Sequence, residues 1–200
     1  MAINHWVNQR LENMHMNQSH KIRYSFSHLI QWGRQNRSII QFCLLLIMYM
    51  TCIYFFFQLS GIKSNFLNPL SVKVAQLSNW FLNLFGMKTQ SVNSVVFQPN
   101  GFAIDISYKC TGILQIEFFI AAICAYPCSL YKKLPGFVVG TFLIFSVNLI
   151  RIISLFFIGL FVFSWFDFIH GVIWELLMIL ITFFAWLFWL RWMRKILKKI

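Results

Sequence analysis

Polar and apolar positions along this chain separate into long blocks rather than short periods. A polar stretch over residues 1–38 gives way to a nearly unbroken apolar run over residues 39–59, with Gln41 and Gln58 marking its ends and Tyr49, Tyr54, Phe55, Phe56 and Phe57 in its second half. Such a run matches the roughly 20 residues that carry a helix across a hydrocarbon core, and aromatic rings settle where that core meets water. The same pattern predicts spans over residues 111–126, 136–165 and 171–190. The first of these is short, about 24 Å at 1.5 Å per residue. The second is long for one span and is expected to tilt steeply or to break.

Between the first two spans the period changes. Over residues 74–85, Val74, Leu77, Phe81, Leu84 and Phe85 fall on one helical face and Gln76, Ser78, Asn79 and Asn83 fall elsewhere, which predicts an interfacial helix too short and too polar to cross. Residues 95–108 read as two extended runs around the turn signal Asn100-Gly101, hence a short β-hairpin. In its second strand Phe102, Ile104, Ile106 and Tyr108 point one way, and Ala103, Asp105, Ser107 and Lys109 the other, as a period of two requires. The predicted fold class is an all-α integral membrane protein of about four transmembrane helices, with an interfacial helix and a β-hairpin on the outer face. Residues 1–38 form a polar, basic cytoplasmic arm and residues 39–200 one membrane-embedded domain.

Composition agrees. The chain is 59% hydrophobic, with 24 Phe and 11% charged residues, whereas soluble domains are about 25% charged. The net charge of +12 carries no basic stripe with interleaved aromatics, so it points to topology and anionic membrane lipids and not to a nucleic-acid partner. Of the 17 basic residues, those of the arm, Lys132 and Lys133, and the closing Arg191, Arg194, Lys195, Lys198 and Lys199 fall on one side of the predicted spans. Lys63, Lys73, Lys88 and Lys109 fall on the other. The positive-inside rule then places both termini and the Lys132-Lys133 loop in the cytoplasm. The arm lacks a short apolar core followed by a small-residue cleavage site and is not read as a cleaved signal peptide. Its His5, His15, His20 and His28 lack helical i, i+4 spacing and a supporting Cys or carboxylate cluster, so no metal and no cofactor is predicted.

Candidate chemistry gathers at one depth. Cys110 stands where the strand turns into the second span, so it is expected at the first turn of a helix, beside unpaired N–H groups and Lys109, where a negative sulfur is favoured. Arg151 sits within the third apolar stretch, where an unpaired guanidinium is costly and marks a site by default. His170, the only histidine outside the arm, opens the last span. Together they supply a nucleophile, a proton carrier and a cationic donor for an oxyanion. Glu117 lies seven residues past Cys110, on the same face of the expected helix, and is expected to pair with Arg151.

At these residues the sequence resembles the exosortase/archaeosortase family, particularly its short exosortase H kind. The matching pieces are Cys110-Thr-Gly112, then Asn148-Leu-Ile-Arg151-Ile-Ile-Ser-Leu, then His170 opening a final aromatic-rich helix, within a resemblance that runs over residues 39–192. The resemblance implies a membrane-embedded cysteine protease/transpeptidase of a bacterial cytoplasmic membrane, with its site toward the exterior. Its partners would be exported proteins with a C-terminal sorting tail, composed of a short motif, a transmembrane helix and a basic end. It implies Cys110 as nucleophile, His170 as general acid/base and Arg151 as stabiliser of the scissile carbonyl, with Gly112, Asn148 and Tyr108 in support. Glu117 receives no role from the resemblance.

Two other readings compete. Cys124 and Cys128 form a Cys-x3-Cys pair near the predicted cytoplasmic end, the basis for a thiol oxidoreductase, although thiols there stay reduced. Arg151, Glu117 and Glu175 could instead form a buried network in a small transporter or assembly factor, although no internal repeat or pair of broken helices supports transport.

Overall fold

The computed structural model describes residues 35–99 and 101–197. The four histidines of the arm and Asn100 of the expected turn lie outside the described residues. The chain divides into a unit of residues 1–44 and a unit of residues 45–200. Helix α1 (Arg37–Gln58) is 22 residues long and covers the first expected span. None of its residues is buried, which leaves its apolar surface to lipid.

In the second unit, turns at Ser60–Ile62 and Lys63–Leu67 lead into α2 (Asn68–Leu84). Pro69 occupies its first turn, where a missing N–H breaks no helical bond. The packed face differs from the expected one. Ser71, Val74, Ala75, Ser78 and Leu82 are buried, while Leu84 and Phe85 are 63% and 65% exposed. Small side chains let the neighbouring backbone approach closely, and the large rings are left to lipid. Ser71 and Ser78 are satisfied within the helix, donating to the carbonyls of Leu67 and Val74 at 3.2 and 2.8 Å.

The expected hairpin is two strands of a three-stranded antiparallel sheet, β1 (Gln90–Val92), β2 (Val95–Phe97) and β3 (Ala103–Asp105), in the order β1-β2-β3. Asn93, at φ 52°, turns β1 into β2. Val96 and Ile106 pack with Val74, Ala75 and Leu82 of α2 and with Ile152 and Phe156, so the sheet is pinned between helices.

Three further helices follow, α3 (Ile113–Ala125), α4 (Leu130–Phe161) and α5 (Trp174–Leu197). They share a second core of Phe119, Ile123, Ile144, Met178, Ala185 and Trp189. The long third stretch is helical without a break from Leu130 to Phe161, 32 residues with Pro135 inside, and the break falls near its end, at Val162. The expected Lys132-Lys133 loop belongs to the first turns of that helix, and the break between helices falls at residues 126–129. Lys133 is buried, and its Nζ donates to the carbonyl of Cys124 at 2.8 Å, satisfying an orphan acceptor at the end of α3.

After α4 the chain leaves helical geometry at Val162, φ −140° and ψ 54°, and then runs through a 3₁₀ turn (Phe163–Trp165), a turn at Phe166–Phe168 and a π turn (Ile169–Ile173) into α5. Among the described residues, Arg37–Gln58, Leu130–Phe161 and Phe163–Lys195 are long and apolar enough to cross a membrane. The second expected span is the 13-residue α3, about 20 Å long and so shorter than a hydrocarbon core of about 30 Å.

Candidate functional site

The strand β3 ends at Asp105, and Ser107, extended at φ −64° and ψ 162°, hands the chain to a 3₁₀ turn over Tyr108–Thr111. This turn carries Cys110. Its N–H donates to the carbonyl of Ser107 at 2.9 Å, and the Thr111 hydroxyl donates to the carbonyl of Tyr108 at 2.6 Å. Gly112 then takes a left-handed conformation, φ 79°, and α3 begins only at Ile113. Cys110 is therefore not in the first turn of a membrane helix. The left-handed residue separates the two elements, so the face shared with Glu117 by helical spacing is lost as well.

A second contact fixes the turn from α4. Asn148, fully buried, donates Nδ2 to the carbonyl of Cys110 at 2.9 Å. A side chain on Gly112 would bring its Cβ to 3.0 Å from Asn148 Cβ, so both conformation and space ask for glycine there. One helical turn beyond Asn148, Arg151 is buried at 6% exposure and turns into the same chamber as Cys110.

His170 reaches that chamber from the π turn Ile169–Ile173, inside a helical run rather than at the outer end of one. A π turn inserts a residue and re-aims the side chains around it, a device frequent at functional sites. The imidazole lies flat on Phe166, with centroids 5.7 Å apart and planes 5° from parallel. Its Nε2 is 3.9 Å from Cys110 Sγ, and the Ser107 hydroxyl is 3.6 Å from the same sulfur.

The chamber has a volume of about 430 Å³, and Cys110, Arg151, Asp167 and His170 line it together with the run from Phe102 to Ser107. A thiol, an imidazole and a guanidinium around one space suit acyl transfer, in which a sulfur attacks a carbonyl, a base carries its proton and a cation meets the developing oxyanion. A larger cavity, about 570 Å³, lies among Phe119, Gly136, Gly140, Ala185 and Trp189. It holds no titratable side chain and offers no such chemistry.

Of the remaining expected site residues, Asn148 and Gly112 build the Cys110 turn. Tyr108 faces elsewhere, its ring 5.9 Å from Lys63 Nζ, and Glu117 is buried outside the chamber. Among the described residues no ion pair joins Glu117 to Arg151. All five cysteines are free thiols, Cys124 and Cys128 included. Ser107 and Asp167 are site residues that the sequence reading misses. Each stands three positions before a candidate, Cys110 and His170, and that spacing within a helical turn was the available signal.

Among protein families, the one described as transmembrane exosortase matches the chain over residues 26–187. No curated protein and no solved structure matches it.

Proposed function

The chain belongs to the transmembrane exosortase family, and from that premise we propose that it is a membrane-embedded cysteine transpeptidase that cleaves the C-terminal sorting tails of exported proteins. The observation that carries this reading is the approach of Cys110 Sγ to His170 Nε2, 3.9 Å, in the chamber that Arg151 enters. Catalytic contacts are often this loose before substrate arrives.

In the proposed reaction the Cys110 thiol gives its proton to His170, and the sulfur adds to the scissile carbonyl. Arg151 donates to the resulting oxyanion. The carbon–nitrogen bond then breaks, His170 returns the proton to the leaving amine, and the acyl group remains on sulfur as a thioester. An acceptor nucleophile, an amine, a hydroxyl or water, attacks that thioester and releases the thiol. The three groups come from three elements, so the site forms only when the 3₁₀ turn, α4 and the π turn are packed.

The proposed setting is a bacterial cytoplasmic membrane, with both termini cytoplasmic and the chamber toward the exterior, on the division of basic residues. Mass spectrometry of the intact protein from its host tests the reading. An acyl adduct on Cys110, sensitive to hydroxylamine and belonging to an exported protein, is expected. Continued processing of that exported protein by Cys110→Ala overturns the proposal.

A further inference from the structure

The edge of β3 is open. In the order β1-β2-β3, one side of β3 pairs with β2, and among the described residues no strand lies along the other. Val95 pairs with Asp105, Val96 with Ile104 and Phe97 with Ala103. The N–H of Ile106 donates to the carbonyl of Ser94 at 2.9 Å, and the carbonyl of Phe102 accepts from the N–H of Gln98 at 3.1 Å. Hydrogen-bonded pairs alternate with non-bonded ones along an antiparallel ladder. Phe102, Ile104 and Ile106 therefore direct their peptide groups to β2, and Ala103 and Asp105 direct theirs to the open edge.

A bare edge is ordinarily a hazard that proteins cover or blunt. This one forms a wall of the chamber that holds Cys110, Arg151 and His170. Phe163 and Phe166 line the same chamber, and the ring of Phe102 meets theirs at 6.2 and 5.5 Å. Among the described residues the edge is thus without a partner strand, its residues line the chamber, and it ends three residues upstream in the chain from the Cys110 turn.

We infer that the peptide to be cleaved joins β3 as a fourth strand, its backbone paired with Ala103 and Asp105, and that this pairing sets the register that delivers the scissile carbonyl to Cys110. The inference rests on the transpeptidase reading and identifies how that reaction holds its substrate. Three paired residues span about 10 Å, the length of β3 itself. Strand addition takes affinity from main-chain hydrogen bonds and specificity from alternate side chains. Apolar Ile152 and Leu155 and the carboxylates of Asp105 and Asp167 all line the chamber and are available to those side chains.

The test uses the full chain in its membrane, with the exported protein recovered as the adduct on Cys110. In a Cys110→Ala background, which keeps that protein uncleaved, Ala103→Cys is combined with single cysteines at successive positions before the cleavage site. Disulfides at every second position, with background levels between them, are expected. Cross-linking without alternation, or cross-links between two copies of this chain in their place, overturns the strand. Independently, Ala103→Pro removes an N–H that faces the open edge and leaves the β2 ladder intact. It is expected to slow processing about tenfold while iodoacetamide still alkylates Cys110 at the parental rate. Parental processing by that variant overturns the inference, and if the variant loses alkylation the cross-link pattern decides. Processing that survives Cys110→Ala would instead remove the transpeptidase reading itself, a result no variant at Ala103 can produce.

Discussion

Asn148 holds the peptide carbonyl of Cys110 at 2.9 Å, across 38 residues of sequence. The bond ties the turn bearing the proposed nucleophile to the helix bearing Arg151, so sulfur and guanidinium keep a fixed relation. Nothing in either local sequence requires it.

Asn148→Ala is predicted to remove a fully buried donor and leave the carbonyl of the half-buried Cys110 without it. The expected cost is about 1–3 kcal/mol of stability. Thermal unfolding in detergent measures it, and alkylation of Cys110 under native conditions is expected to speed up as the turn loosens. Unchanged unfolding and unchanged alkylation would mean that the bond contributes nothing.

Gly112→Ala meets two penalties, a left-handed φ of 79° and a Cβ placed 3.0 Å from Asn148 Cβ. The left-handed conformation alone costs about 1–2 kcal/mol. Gly112→Ala combined with Asn148→Ala keeps the contact with Cβ but loses the one with Asn148 Cγ, also 3.0 Å, so the pair is predicted to cost less than the sum of the two single changes. A double-mutant cycle on unfolding reads the difference, and strict additivity would rule out the coupling.

Cleavage is predicted to disappear in Cys110→Ala and to persist only as a trace in Cys110→Ser, since a hydroxyl is a far weaker nucleophile near neutral pH. Loss of the His170 imidazole is predicted to stall release of the amine, with partial rescue by added imidazole. Arg151→Lys keeps the charge but loses the planar fork, and removing one oxyanion donor typically slows turnover by about 10²–10³. Processing of the exported precursor, followed by electrophoretic shift, checks all four. An Arg151→Lys variant at parental rate would exclude the oxyanion role.

Topology is predicted to show residue 68 outside and residue 129 inside. The second reporter belongs at Ser129 because Lys133 is buried within α4, bonded to the carbonyl of Cys124. An outside signal at Ser129 would reverse the proposed orientation and put the chamber on the cytoplasmic side.

The membrane class, the long apolar helices and the alternation along β3 were all legible in the sequence, because each is a property of a short run of side chains in its solvent. Run length against bilayer thickness identified residues 39–59 and 136–165, and period two identified which residues of 102–106 turn inward. The residue types at Cys110, Arg151 and His170 were legible too, since a thiol, a guanidinium and an imidazole are conspicuous in an apolar chain. Their arrangement was not. Helical spacing put Cys110 and Glu117 on one face, whereas a left-handed Gly112 stops the 3₁₀ turn before α3 begins. The buried face of α2 went to Ser71, Ala75 and Ser78 in place of the larger Leu84 and Phe85, because close approach of a neighbouring element outweighs hydrophobicity where lipid already receives apolar surface. Strand β1, three residues with no period to detect, exists only because β2 lies beside it. The π turn that aims His170 and the bond from Asn148 to Cys110 belong to the same class. Each depends on contacts between residues far apart in the chain, which packing brings together and local pattern does not encode.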